Sequence, residues 1–131
     1  MPEFPAGGII RGAVVNALGE GVEAAYNAPY PDESYKAGAR IFPALVPISP
    51  DMDGAADNVQ AWTVLRNFEK PFLTCFSDQD PITKGGDKAF QKLVPGCAGQ
   101  PHTIVKGGGH FLQEDVHAEL SEIIVNFMAQ L

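Results

Sequence analysis

Asp80 and His110 are the residues of this chain whose types and spacing most directly invite chemistry. Each follows a short apolar run, residues 71–76 and 102–105, that reads as a strand. Both would then stand just past the C-terminal end of a parallel strand, where open α/β sheets place their working groups. About thirty residues and one predicted helix separate them, the span of a right-handed crossover. Strands joined that way lie about 5 Å apart, so their C-terminal loops bring a carboxylate within reach of an imidazole. Such a carboxylate would hold the ring in one tautomer and stabilise the imidazolium, leaving the other nitrogen to act as a general base. Spacing alone leaves a plainer reading open, in which Asp80 caps the next helix and His110 ends a glycine-rich turn.

Other constellations are weaker. A nucleophile elbow needs small residues two positions either side of the nucleophile on a strand-to-helix turn, and no Asp or Ser directly following a predicted strand has them. Cys97 comes nearest, but it has Pro95 before it and Gly99 after it, and it follows a helix rather than a strand. His102, His110, His117 and Asp115 lack any metal-ligand spacing, so no metal is expected. Gly107, Gly108 and Gly109 lack the Gly-Lys-Ser/Thr ending of a phosphate loop, so no nucleotide or other cofactor is implied. Their expected use is a tight backbone turn beside the histidine.

Positioning these residues falls to an alternation of helices and strands. Residues 1–18, rich in small residues, have no clear period and read as irregular. A short helix is expected over 20–26, ending before Pro29. Another runs over 32–42, capped by Asp32 and ended or kinked by Pro43. Residues 46–51 read as a linker. Asp53 or Asp57 opens a helix whose Val59, Trp62, Leu65 and Phe68 share one face. The strand over 71–76, nearly all apolar, suits a parallel strand covered on both faces. A helix over 87–94, the strand over 102–105 and a final helix complete the chain. That last helix presents Leu120, Ile123, Ile124, Phe127, Met128 and Leu131 as one apolar stripe. The order is that of a doubly wound α/β protein, although two strands fall short of a whole sheet.

Composition narrows the classes. The 131 residues carry a net charge of -7 with no compensating basic patch, which excludes nucleic acid as the expected partner. No apolar run reaches the roughly 18 residues of a membrane span, and the start from Met1 lacks a basic signal region, so a cytoplasmic chain without membrane partners is expected. Cys75 and Cys97 lie in unlike settings and are expected to be free thiols.

The stretch from Tyr26 through Asn27, Ala28, Pro29, Tyr30, Pro31, Asp32, Glu33, Ser34, Tyr35, Lys36 and Ala37 to Gly38 resembles the cap signature of haloalkane dehalogenases, continued by Phe42-Pro43-Ala44-Leu45-Val46. Ser77-Asp78-Gln79-Asp80-Pro81-Ile82-Thr83 resembles that family's acid loop, and residues 108–115 its histidine loop. The resemblance implies the C-terminal part of an α/β-hydrolase fold: residues 1–50 a partial helical cap, residues 51–131 the end of the core with two parallel strands and flanking helices. It makes Asp80 the triad acid and His110 the base, and places Phe42, Pro43, Val46 and Ile82 at the apolar substrate pocket. Packing between cap and core is the other reading of those four.

In such enzymes an aspartate displaces halide from an alkyl carbon and a histidine-activated water hydrolyses the resulting ester. The resemblance puts the nucleophile, the oxyanion loop and the halide-contacting tryptophans upstream of Met1, which leaves Trp62 as a core residue. The expectation is a chain inactive alone, completed by an N-terminal hydrolase half or held in a self-associated state, with a small halogenated substrate in the full enzyme. An epoxide hydrolase or other α/β-hydrolase fragment, and a non-catalytic oligomeric remnant, are the alternatives.

Overall fold

A computed structural model describes residues 3–131; Met1 and Pro2, part of the start on which the expectation of no signal region rests, lie outside the described residues. The chain begins with α1 (Ala6–Gly12) packed on α2 (Val22–Asn27). Helix α1 corrects the irregular reading of residues 1–18. Its glycines hide the helical period, and contact with α2 supplies what local propensity lacks. Gly7 lies so close to α2 that its amide donates to Asn27 Oδ1 at 2.9 Å.

The helix expected over 32–42 is broken into a 3-10 turn (Glu33–Lys36), α3 (Ala37–Ile41) and a second 3-10 turn (Phe42–Leu45). Asp32 does cap it, accepting from the Ser34 amide at 2.8 Å. Pro43 lies in the second turn, where a missing amide donor costs little. Helix α4 (Ala55–Leu65) starts after Gly54, whose φ of 82° is a left-handed conformation that favours glycine; neither Asp53 nor Asp57 is its cap, and Asp57 lies in its first turn.

The sheet is smaller than the apolar runs suggest. Strands β1 (Cys75–Ser77) and β2 (Thr103–Val105) pair in parallel, with Phe76 opposite Ile104 and Ser77 opposite Val105. The ladder starts at Cys75 and not at Pro71 because the backbone before it bonds Gly96 instead: Gly96 N donates to Phe68 O at 2.8 Å and Phe72 N to Gly96 O at 2.9 Å. Between the strands run α5 (Asp87–Leu93) and a 3-10 turn (Pro95–Cys97). The final helical region is divided into α6 (Leu112–Asp115) and α7 (His117–Met128).

The buried apolar residues among those described are Ile10, Val94, Cys97 and Val105, of which Val105 is fully buried. Trp62 is packed as expected, its ring 5.2 Å from that of Phe90, which stacks on Phe72 at 5.6 Å. Val59, on the same predicted face, is exposed. The first strand, expected to be covered on both faces, is covered only in part, with Cys75 and Phe76 half-buried; Ile104 on β2 is 42% exposed, and on the stripe of α7 Ile124 and Met128 are 44% and 65% exposed. Beside them an open apolar hollow of about 560 Å³ is walled by Phe72, Phe76, Phe90, Leu120, Ile124 and Phe127.

Candidate active site

Because β1 and β2 are parallel, the loops leaving them emerge at one edge of the sheet. Three bonds sew those loops together beyond the last strand residues. Ser77 Oγ donates to Gly109 O at 2.8 Å, Gln79 N donates to Gly108 O at 3.1 Å, and Gly107 N donates to Asp78 Oδ1 at 2.8 Å. Gly107 turns the chain with a φ of 79°, a conformation that favours glycine. Gly109 is needed for a different reason, since a Cβ there would stand 2.7 Å from the Ala13 carbonyl oxygen.

The result is contact between the two predicted residues. His110 Nδ1 lies 3.1 Å from both carboxylate oxygens of Asp80. Asp80 is 3% exposed, and it also accepts from the Ile82 amide at 2.8 Å and from the Thr83 hydroxyl. Both readings of Asp80 therefore hold in part: it caps its own turn and faces the histidine, while α5 starts at Gly86 without a side-chain cap. Burial alone would raise the Asp80 carboxyl, but the Thr83 and Ile82 donors, followed by His110, lower it to about 2. An ionised carboxylate on Nδ1 fixes the proton there, because the acceptor needs a donor. His110 Nε2 has no hydrogen-bond partner among the described residues, and the ring is 31% exposed. It is free to exchange a proton with a bound molecule. Phe111 supports the ring edge-on, with centroids 5.1 Å apart.

Two hollows border the pair. One of about 180 Å³ is lined by Asp80, Thr83, His110, Phe76 and Leu112. The other, about 400 Å³, lies between His110, Pro81, Ile82 and the segment from Gly12 to Val15. Of the four expected pocket residues, Ile82 borders this second hollow. Phe42 and Val46 are 72% and 53% exposed and, with Pro43, line neither hollow.

Sequence reasoning missed the residues that hold the loops. Ser77 and Asp78 stand beside the acid, and their residue types alone do not mark them as ties between the loops. Asp115 was weighed as a metal ligand, yet its carboxylate accepts backbone donors from Val15, Asn16 and Gly109. A short polar residue at a strand end, or an acid five positions after a histidine, is too common a feature to stand out.

His102 has both ring nitrogens engaged. Thr74 N donates to His102 Nδ1 at 3.1 Å, and His102 Nε2 faces Cys97 O at 2.8 Å, where it donates. No group of three potential metal ligands occurs among the described residues. Cys75 and Cys97 are free, and burial pushes both thiols up, which disfavours the thiolate a nucleophile needs. No helix among the described residues is long and apolar enough to cross a membrane.

No family model matches the chain. Among curated proteins, it is 50% identical over 128 residues to a haloalkane dehalogenase of Psychrobacter cryohalolentis, 46% over 126 residues to one of Mycobacterium marinum and 44% over 130 residues to one of Mycolicibacterium paratuberculosis. These spans take in 98%, 96% and 99% of the chain but 42%, 42% and 43% of the relatives. The chain thus spans less than half the length of the curated relatives it matches.

Proposed function

We propose that this chain, similar to haloalkane dehalogenases along nearly all of its length, supplies the acid and the base of a hydrolase that cleaves carbon–halogen bonds. In this reading it is the C-terminal part of an α/β-hydrolase fold. Residues 1–50 form a partial helical cap, and residues 51–131 form the end of the core. The observation that carries the reading is the contact of Asp80 with His110 Nδ1 at the shared edge of β1 and β2, with Nε2 left unbonded.

The chemistry divides between two carboxylates. One, from a segment outside these 131 residues, attacks the alkyl carbon; a C–O bond forms as the carbon–halogen bond breaks, and halide leaves with the electron pair. His110 Nε2 then takes a proton from water as that water attacks the ester carbonyl, and returns it to the departing alkoxide. Asp80, ionised near neutral pH, stabilises the imidazolium in between. Phe42, Pro43 and Val46 join Ile82 in lining the apolar pocket once the rest of the fold covers their exposed surface.

Replacing the matching segment of the Psychrobacter relative with this chain tests the reading in a full-length protein. A His110→Ala version should release about one equivalent of halide and retain an alkyl adduct detectable by mass spectrometry, since only ester hydrolysis requires the base. Steady turnover without an adduct would contradict the assignment of His110. An epoxide hydrolase shares the same acid and base logic; the relatives are named for dehalogenation, and assaying the chimera on epoxides separates the two.

A further inference from the structure

Asp115 carries a contact pattern that the dyad chemistry does not use. Its carboxylate spans about a hundred residues of chain, the separation of Val15 and Asn16 from it being 100 and 99. Oδ1 accepts from Asn16 N at 2.7 Å, Oδ2 accepts from Gly109 N at 2.8 Å, and the Val15 amide donates to both oxygens at 3.0 Å. The residue after Gly109 is His110, whose own amide donates to Ala13 O at 3.0 Å. The backbone on either side of the histidine is thus held by the segment from Ala13 to Asn16, and Asp115 closes that clamp. Next to it, Glu114 Oε1 accepts from the Tyr26 hydroxyl at 2.5 Å, a second tie between the early helices and the histidine loop.

We infer that Asp115 is a positioning residue: it locks the segment from Ala13 to Asn16 onto the histidine loop and thereby fixes His110 against Asp80 beside the hollow those residues share. Three backbone donors on one carboxylate are charge-assisted bonds, stronger than neutral ones and sensitive to loss of either oxygen. The inference rests on the dyad reading of the site and not on the identity of the substrate.

Asparagine at 115 has one oxygen in place of two, so it must release either Asn16 or Gly109, while Val15, which lies 3.0 Å from both carboxylate oxygens, can stay held. The Asp80–His110 bond is read from the downfield Nδ1 proton resonance of the imidazole in the 131-residue chain, and the clamp from hydrogen exchange at Val15, Asn16 and Gly109. In Asp115→Asn, exchange should speed up by about tenfold or more at Asn16 or at Gly109, and the downfield resonance should broaden or vanish. Amides of Phe76 and Ile104 should keep their protection, which separates a local release from general unfolding. Asp115→Ala should free both sides. An unchanged resonance and unchanged exchange in both variants would overturn the role of Asp115 alone. Absence of the resonance from the unmutated chain would overturn the dyad itself, and this inference with it.

Discussion

Asp80 carries the most chemical content per atom in this chain. It is buried, and it is ionised because donors from Thr83 and Ile82 outweigh the cost of that burial. The lowered value has a defined consequence for stability. The folded state prefers the carboxylate, so this contribution is fully present above the ordinary value of 3.8 and is lost as pH falls through about 2. A carbon chemical-shift titration of the Asp80 carboxyl should therefore show a midpoint near 2, and a midpoint near 4 would mean the turn donors are not engaged. In the full-length chimera, Asp80→Asn should slow ester hydrolysis by about 10²–10⁴-fold, the usual worth of an oriented base, while halide displacement continues. Both residues of the pair were legible in the sequence because a carboxylate and an imidazole each follow an apolar run. Thr83 was not, because a hydroxyl three residues after an acid says nothing until the turn between them is formed. Asp115 was visible only as an acid, since its partners at Val15 and Asn16 are backbone groups and leave no mark on residue type.

Among the elements, the order of helices and strands was readable from periodicity, whereas their ends were set by contacts the pattern does not encode. Residues 71–74 are as apolar as a strand should be, yet Phe72 bonds Gly96 and the ladder is confined to three residues on each strand. Helix α1 escaped notice because glycines and alanines give no amphipathic signal, although α2 was there to receive it. The loop after β2 is the element on which the site depends most. A methyl group at Gly109 would meet the Ala13 carbonyl oxygen at 2.7 Å and Asp115 Oδ2 at 3.2 Å. Gly109→Ala should accordingly cost about 1–3 kcal/mol, seen as a lower urea midpoint, because a tightly packed backbone has to shift. Gly12→Ala is the matched control: nothing lies within 4 Å of its Cβ position, so it should be close to neutral. Equal effects of the two substitutions would show that the approach of residues 13–16 to the histidine loop does not hold in solution.

For the molecule as a whole, the site is assembled but its surroundings are open. Among the described residues the sheet has two strands, the stripe of α7 is half exposed, and an apolar hollow of about 560 Å³ lies between that helix and β1. Each large apolar side chain left there forgoes roughly 1.5–3 kcal/mol of burial, and a free strand edge keeps unpaired donors and acceptors. At micromolar concentration the isolated chain should therefore self-associate in sedimentation velocity, and a cooperatively unfolding monomer would show that it covers this surface unaided. The claim at the centre of the account is the division of labour: this chain brings acid and base, and the attacking carboxylate comes from elsewhere. Halide release tests it most directly, measured on the purified chain and on the full-length chimera with the same haloalkane. The account predicts no release above background from the chain and steady release from the chimera. Turnover by the chain alone, abolished by His110→Ala, would contradict it.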